Sequence, residues 1–348
     1  MRLSDKIYLV YSYVAHIESN LKSVLREVRM KIFVTGGSGF IGSAITKELV
    51  SLGHEVTGLV RRKSKADIVE QTGASVVAGD LLEADLWTMA LRDADLIISA
   101  SQPVRHGEKV SLSEARRRSY YHGQMVGNLF LAAEGSGVKG VIVTYGVEGF
   151  GNRGEQWVME NDEINPYGYE RAVAGAYWHI DKTSRKTRVP LVNVFTGWAY
   201  GPGSWFESLV RGVKNGTMRV IGEGNNYMSF IHIDDLARAY GKMAELLPFG
   251  ERYCIVDGKP ATQHEMANFI ARLVGGRTPK SVEIDAYARL AGDLAAESFS
   301  CSTRCLGERT RKALLPELKY PSYLEGMPAA VEEMGILRKD EKAEERAA

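Results

Sequence analysis

Short apolar runs alternate with longer segments of helical periodicity between residue 31 and about residue 200. Runs rich in Val and Ile predict six strands, at residues 31–35, 55–60, 75–78, 95–100, 140–144 and 190–195. Several are apolar throughout, as strands that are buried on both faces of a parallel sheet require. Helical patterns, at residues 43–52, 112–136 and 169–187 among others, lie between them. This alternation predicts an α/β fold, a doubly wound parallel sheet of the Rossmann type with right-handed crossovers.

The pattern also divides the chain into regions. We predict a dinucleotide-binding domain over residues 30–200, because the alternation ends near Gly203 and the following elements are shorter and interrupted by Gly and Pro. Residues 201–330 form mainly a smaller substrate lobe, with a return segment to the first domain at about 227–245. Residues 1–29 show helical periodicity and are either a docking helix or, as we favour, upstream sequence outside the fold. Residues 331–348 are expected to be a charged, solvated tail.

Composition narrows the classes of partner. The 348 residues include 44 basic and 43 acidic side chains, a net charge of +1, which argues against a nucleic-acid partner. Three cysteines at positions 254, 301 and 305 fit a reducing compartment, and no His or Cys cluster completes a metal site. No apolar run approaches the ~18 residues of a membrane helix. We therefore expect a cytoplasmic protein without a metal, a membrane or a nucleic-acid partner.

A glycine-rich segment, TGGSGFIG at positions 35–42, follows the first predicted strand and opens the first predicted helix. In this context Gly36 permits a tight turn, Gly39 lets the backbone approach a pyrophosphate, and Gly42 lets the helix pack on the strand. The N–H groups at the helix start, around Phe40 and Ile41, are placed to hold phosphate charge. The segment predicts a dinucleotide site.

The end of the second predicted strand indicates which dinucleotide is bound. An acidic residue there would hydrogen-bond the 2′-hydroxyl of the adenosine ribose. The chain instead has Arg61 and Arg62, and the forked guanidinium group pairs well with a 2′-phosphate. The pair predicts NADP as the cofactor, with NAD as the alternative; a basic surface loop without a ligand is the competing interpretation.

Further motifs carry a family resemblance. Gly-Asp-Leu at 79–81 follows the third predicted strand, YGPG at 200–203 follows the sixth, and FIHIDD occupies 230–235. With the glycine pattern and the stretch at 320–326, they resemble the extended short-chain dehydrogenase/reductase family, including its NAD-dependent epimerase/dehydratase group, over roughly residues 30–330. The resemblance implies that Asp80 and Leu81 contact the adenine. It also places Ser101 and Thr196, at the ends of two later strands, in the cofactor site.

The chemistry of this family uses a Tyr-x-x-x-Lys pair together with a Ser or Thr. Tyr167 matches the tyrosine, but Arg171 stands at the lysine position and Gly146 at the hydroxyl position. The resemblance implies that Tyr167 is the catalytic acid and that Arg171 lowers its pKa. Thr144 or Tyr145 is the candidate for the missing hydroxyl donor. The competing interpretation makes Tyr167 an aromatic packing residue beside the cofactor.

The substrate is less defined by sequence. Nucleotide-sugar members of the family usually carry an Arg where this chain has Ser229, which weakens a sugar-nucleotide assignment. Tyr145, Trp198 and Met228 are predicted to line a partly apolar substrate site. We expect an NADP(H)-dependent oxidoreductase that acts on a carbonyl or alcohol of a small molecule. The alternatives are a nucleotide-sugar epimerase or dehydratase, and a cofactor-binding protein with little catalysis that serves in assembly or redox sensing.

The resemblance also implies an oligomeric state. Members of the family often form dimers by packing two long helices against their symmetry mates. In this chain the corresponding segments are residues 112–136 and 169–187. We therefore expect a homodimer.

Overall fold

The computed structural model describes residues 29–83, 87–104 and 107–337. The predictions made for residues 1–28, and for the tail from residue 338 onward, lie outside this part of the chain. The predicted charged tail is wrong for residues 331–337, because Val331 and Ile336 are buried in an apolar core. Within it, no helix is both long enough and apolar enough to cross a membrane.

A parallel sheet of seven strands forms the centre of the described chain. Its strands are β1 (Lys31–Thr35), β2 (Glu55–Val60), β3 (Ser75–Ala78), β4 (Leu96–Ser99), β5 (Gly140–Gly146), β6 (Leu191–Thr196) and β7 (Arg252–Ile255). They are arranged in the order β7-β6-β5-β4-β1-β2-β3. The predicted Rossmann-type fold is confirmed. The strand order reverses direction between β1 and β4, and at such a point the crevice beyond the carboxyl ends of the strands is the usual ligand site.

Helices and short strands complete the description. The α-helices are Phe40–Ser51, Ala66–Glu70, Trp87–Arg92, Leu112–Ala133, Glu170–Val173, Tyr177–Thr187, Trp205–Lys214, Ile233–Leu246, Gln263–Val274, Ile284–Ala291, Asp293–Ser300, Glu308–Ala313 and Tyr323–Glu333. Single 3-10 turns occur at Lys63–Lys65, Val147–Phe150 and Ala174–Ala176. The short strands are Trp157–Val158, Trp198–Tyr200, Arg219–Ile221, Tyr227–Met228, Phe230–His232, Ala261–Thr262, Lys280–Val282 and Arg304–Cys305.

The sheet is buried on both faces. In β1, Ile32 and Val34 pack on one face, in a core shared with the helices Phe40–Ser51 and Ile233–Leu246. Phe33 points to the other face, whose core includes the helix Leu112–Ala133. Because successive side chains of a strand alternate between faces, an apolar run without alternation is what this layering requires.

A third apolar core belongs to the smaller lobe. The helices Trp205–Lys214, Gln263–Val274 and Tyr323–Glu333 surround it, and Phe206 and Met327 are among its fully buried side chains. The strand that follows β6, Trp198–Tyr200, also contributes side chains to this core. The smaller lobe is thus attached directly to the carboxyl end of the sheet.

Two elements differ from the predictions. The seventh strand, β7, was not predicted, because it has only four residues and begins with Arg252 and Tyr253 at the edge of the sheet. The helix predicted over 169–187 is interrupted by the 3-10 turn Ala174–Ala176. At the interruption Gly175 packs against the helix Leu112–Ala133 so closely that a Cβ would lie 2.6 Å from Ser119 Oγ. Close packing therefore determines the local backbone here more than helical periodicity does.

Candidate active site

A cleft of about 1500 Å³ opens at the carboxyl ends of the sheet strands. One half is lined by the segments that follow β1, β2 and β3, and the other half by the segments that follow β4, β5 and β6. All the residues predicted to bind the cofactor line it: Gly36, Gly39, Phe40, Ile41, Gly42, Arg61, Arg62, Asp80, Leu81, Ser101 and Thr196. The structure therefore brings predicted cofactor residues from five strand ends to one site.

The glycine loop (residues 36–42) has the geometry that a pyrophosphate site requires. Gly36 adopts a φ of 72°, and a Cβ on it would lie 2.8 Å from the backbone nitrogen of Ser101. Gly39 donates its N–H to the carbonyl oxygen of Gly36 at 2.8 Å and precedes the helix Phe40–Ser51. Gly39 provides no side-chain cap, so the first N–H groups of the helix are available to an anion. The loop fits a dinucleotide phosphate.

Basic side chains follow β2 at the edge of the cleft. Arg61, Arg62 and Lys65 are exposed and line the cleft, whereas Lys63 of the same run does not. No acidic side chain among the described residues follows β2 before Asp67. The lining at this point therefore favours a negatively charged group over a hydroxyl.

The loop after β3 is held in place by hydrogen bonds from a tryptophan. The Trp87 Nε1–H group donates to the carbonyl oxygens of Asp80 and Glu83, at 3.0 and 2.8 Å. The carboxylate of Asp80 accepts the N–H of Leu82 at 3.0 Å. These bonds fix Asp80 and the buried Leu81 beside the cleft, as the family resemblance implied for an adenine contact.

Aromatic side chains line the other half of the cleft. Trp198, which was predicted to contact substrate, and Trp205 meet edge to face with ring centroids 5.0 Å apart. The indole N–H of Trp205 donates to the carbonyl oxygen of Ala199 at 2.8 Å, which fixes its ring. Met228, the third predicted substrate residue, is fully buried in the core of the smaller lobe. Its assignment to the substrate site is wrong, because its short strand pairs with Ala261 and turns the side chain inward.

The two hydroxyl groups expected to replace the family's Ser or Thr both lie in the protein interior. Thr144 Oγ1 is 2.5 Å from the Tyr240 hydroxyl, so it is already engaged in a buried hydrogen bond. The Tyr145 ring is fully buried and stacks on Phe195 at 5.1 Å between centroids. Burial raises the pKa of Tyr145 well above its ordinary value. The structure therefore does not support either residue as the missing donor, although both border the cleft.

Tyr167 and Arg171 are neighbours, as expected, but they are not among the described residues that line the cleft. The guanidinium group of Arg171 lies 5.1 Å from the Tyr167 ring centroid, and its Nε is 2.5 Å from a carboxylate oxygen of Glu297. Burial and the Glu297 charge raise the pKa of Tyr167, and the opposing effect of Arg171 is smaller. The expected lowering of this pKa is wrong, because Arg171 is neutralised by Glu297. The assignment of Tyr167 as catalytic acid stays a prediction.

Two glutamates that the sequence analysis did not identify lie at the cleft. Glu148 and Glu170 are each more than nine-tenths buried and flank Gly146. Burial raises the pKa of Glu148 to about 7, and burial together with the charge of Glu148 raises that of Glu170 in the same direction. The sequence feature that could have revealed the two glutamates is Gly146, which stands where the family resemblance implies a side chain with a hydroxyl group.

Two histidines near these motifs have structural positions. Burial lowers the pKa of His122 to about 4, and its Nδ1 lies 3.0 Å from the carbonyl oxygen of Val173. His232 precedes the helix Ile233–Leu246, and its Nδ1 accepts the N–H of Asp234 at 3.1 Å. Neither histidine lines the cleft, and both have structural roles.

The fold and the glycine loop define a dinucleotide-binding protein of the Rossmann type. The sequence model of the NAD dependent epimerase/dehydratase family matches residues 32–255, and the chain belongs to this family. The family resemblance seen in the motifs is thereby confirmed.

Several proteins are similar to the chain over part or most of its length. A 2-alkyl-3-oxoalkanoate reductase of Stenotrophomonas maltophilia is 25% identical over 279 residues, which are 75% of this chain and 81% of that protein. A ketoreductase of Stigmatella aurantiaca, named for a farnesylated 3-oxo-dihydroquinoline oxide, is 23% identical over 84% of each chain. The photosystem II assembly factor Ycf39 of Synechocystis is 30% identical over 110 residues, 32% of each chain.

Solved structures share the fold at low identity. A dTDP-glucose 4,6-dehydratase of Streptomyces venezuelae with bound NAD and TYD superposes with a TM-score of 0.72 and 21% identity, covering 87% of this chain and 96% of that one. The human epimerase family protein SDR39U1 with NADPH gives a TM-score of 0.68 and 18% identity, covering 87% and 99%. At this identity the two structures support the fold alone.

Proposed function

We propose that this protein is an NADP(H)-dependent oxidoreductase that acts on a carbonyl or alcohol group of a small molecule. The observation that carries the proposal is the row of basic side chains, Arg61, Arg62 and Lys65, on the cleft beside the glycine loop. A 2′-phosphate at this point would find guanidinium groups, where a ribose 2′-hydroxyl would find no carboxylate. The human SDR39U1 structure, which contains NADPH, is consistent with this choice.

The chain's own residues account for binding and orientation. When bound, the cofactor supplies a hydride at the nicotinamide ring. The glycine loop holds the pyrophosphate through backbone N–H groups, and Arg61 and Arg62 hold the ribose phosphate. Trp198 and Trp205 cover the opposite half of the cleft and exclude water from an apolar substrate. The names of the reductase and the ketoreductase, which match the chain over most of its length, support a carbonyl substrate.

A nucleotide-sugar substrate is less well supported. Ser229 occupies the position where such members of the family carry an arginine. It is buried, donates to the carbonyl oxygen of Thr303 and accepts the N–H of Cys305, each at 2.9 Å. Its hydroxyl is therefore used within the smaller lobe and offers no charge to a diphosphate.

A cofactor-binding protein with little catalysis is the second candidate. The displacement of Tyr167 and Arg171 from the cleft lining favours it, as does the similarity to an assembly factor. The two candidates differ in one measurement. Oxidation of NADPH in the presence of a 3-oxo ester, beyond the rate without the ester, supports the oxidoreductase, and its absence across a panel of carbonyl compounds supports the binding protein.

Cofactor preference tests the role of the basic row directly. We expect NADPH to bind at least tenfold more tightly than NADH, since hydrogen bonds to charged groups contribute about 1.5–3 kcal/mol. The double substitution Arg61→Ala and Arg62→Ala should remove the preference by weakening NADPH alone. Lys63→Ala is the matched control, because Lys63 belongs to the same basic run but not to the cleft lining. Calorimetry that gives equal affinities for both cofactors in the unaltered protein would contradict the assignment.

Self-association is the second expected property. Tyr120 and Leu131 of the helix Leu112–Ala133 and Trp178 of the helix Tyr177–Thr187 are large side chains exposed by half or more. We propose that these faces form the interface of a symmetric homodimer. Light scattering at micromolar concentration should give the dimer mass, and Trp178→Glu should give the monomer. Leu290→Glu, at an equally exposed apolar position on another helix, should leave the mass unchanged. A monomeric unaltered protein would exclude the dimer.

A further inference from the structure

The carboxylates of Glu148 and Glu170 occupy the volume that a side chain at position 146 would need. A Cβ built on Gly146 would lie 2.9 Å from Glu170 Oε1 and 3.0 Å from Glu148 Oε2. A serine or threonine at this position would therefore require both carboxylates to move aside. The glycine is explained by the two acidic side chains, which take the place of the hydroxyl that the family resemblance implied.

The two carboxylates are anchored differently. Glu148 accepts hydrogen bonds from its own N–H and from the Ser298 hydroxyl. Ser298 Oγ in turn accepts the N–H of Tyr169 at 2.9 Å, so the helix Asp293–Ser300 fixes this part of the cleft. Glu170 receives backbone N–H groups from Gly146 and Ala174. Its Oε2 atom is fully buried and has no hydrogen-bond partner among the described residues.

Both side chains line the same cleft as the predicted cofactor residues. They follow or adjoin β5, next to the strand end that carries Thr196 and on the opposite side of β4 from the glycine loop. This location is the substrate half of the cleft. A ligand atom that approaches Gly146 from the cleft would meet Glu170 Oε1 and Glu148 Oε2.

The charges around the pair favour retention of a proton. The titratable groups that face it are the Tyr145 phenol, near Glu170, and the Cys301 thiol, near Glu148. Burial keeps both of these groups neutral, because it raises their pKa values. The guanidinium group of Arg171, the residue after Glu170, is paired with Glu297. In the resting protein, two buried carboxyl groups without a cation therefore retain one proton at neutral pH, and the state in which both are ionised is disfavoured.

We propose that Glu148 and Glu170 share one proton and that this carboxyl pair donates it to the oxygen atom of a carbonyl ligand in the cleft. The proposal rests on the proposed function, and it identifies a proton donor other than Tyr167. In the reduction, the carbonyl carbon accepts a hydride from the reduced nicotinamide while its oxygen accepts the proton of the pair. The products are an alcohol, the oxidised nicotinamide and a pair in which both carboxyl groups are ionised. Water restores the proton after the alcohol leaves.

Infrared spectroscopy tests the shared proton without requiring activity. In a titration of the full-length protein from about pH 5 to about pH 9, the C=O stretch of the protonated carboxyl groups should weaken as Glu148 ionises near pH 7. It should persist above that pH on Glu170, because burial and the charge of Glu148 raise the pKa of Glu170. Glu148→Gln should move the loss of the remaining band to lower pH, because Glu170 loses its negatively charged neighbour. Glu160→Gln is the matched control, since Glu160 is a buried glutamate outside the cleft lining. A neutral-pH band that is unchanged in both Glu148→Gln and Glu170→Gln would overturn the shared proton.

Turnover tests the donation step. With ethyl 2-methyl-3-oxobutanoate as the probe, NADPH oxidation should fall at a pH above about 7, where the pair loses its remaining proton, because a donor is protonated only below its pKa. Glu148→Gln and Glu170→Gln should each reduce the rate at least tenfold without weakening NADPH binding, which also verifies folding. Unchanged rates in both variants of an active protein would overturn the donation while leaving the proposed function intact. If the protein does not oxidise NADPH with any carbonyl probe, the proposed function and the donation are both overturned. The infrared band would still test whether the two carboxyl groups share a proton.

Discussion

Replacement of Gly42 by alanine is expected to weaken NADPH binding by about a hundredfold. The Cβ of the alanine would lie 2.1 Å from the carbonyl oxygen of Gly36 and 2.6 Å from its carbonyl carbon. Both are backbone atoms of the glycine loop, so the contact cannot be relieved by rotation of a side chain. The helix Phe40–Ser51 must move away from the turn, which displaces the N–H groups that face the pyrophosphate. Overpacking of this kind costs roughly 1–3 kcal/mol, and about 2.8 kcal/mol corresponds to a hundredfold change in affinity.

Fluorescence titration with NADPH measures the effect, and Gly137→Ala is its control. Gly137 precedes β5 and does not adopt a positive φ, and a Cβ built on it would meet no neighbouring atom within 4 Å. We expect this substitution to leave the NADPH affinity unchanged. A Gly42→Ala protein that binds NADPH as tightly as the unaltered protein would show that the cofactor does not use the glycine loop.

The sheet could be predicted from the sequence because each strand is defined by neighbouring residues in the chain. Buried parallel strands are continuous apolar runs, and the first three strands begin and end at the predicted residues. The glycine loop is likewise determined within eight consecutive residues. The edge strand β7 has only four residues and lies beyond residue 200, where we predicted the alternation of strands and helices to end. Its apolar residues were therefore not assigned to the sheet.

The catalytic part of the site was harder to predict, because side-chain direction depends on distant partners. The hydroxyl of Thr144 turns away from the cleft to meet Tyr240, 96 residues later in the chain. Arg171 meets Glu297, which is 126 residues away. Neither partner belongs to a motif, so the family pattern alone placed both side chains at the reaction centre. The pair of Glu148 and Glu170 went unnoticed for the same reason, since only the folded backbone brings the two residues to Gly146.

Motifs of this chain also have structural roles. Asp235 ends the FIHIDD segment and is completely buried. Its carboxylate accepts the N–H groups of Lys319 and Tyr320 at 2.7 and 2.9 Å, and a guanidinium N–H of Arg238 at 2.7 Å. The FIHIDD segment and the stretch at 320–326, which both carry the family resemblance, are therefore hydrogen-bonded to each other. Asp235 connects the helix Ile233–Leu246, which packs on the sheet, to the chain that leads into the helix Tyr323–Glu333 of the smaller lobe.

Asp235→Ala is accordingly expected to lower the free energy of unfolding by about 3–5 kcal/mol, because it leaves partly buried donors and a cation without their acceptor. Urea denaturation followed by circular dichroism measures the change. Asp234→Ala is the matched control: the adjacent carboxylate is 45% exposed and pairs with Lys319 at 2.7 Å. Exposed ion pairs contribute only about 0–1 kcal/mol, so this variant should unfold close to the unaltered protein. Equal losses in the two variants would mean that Asp235 acts only as a surface charge and that other contacts hold the smaller lobe to the sheet.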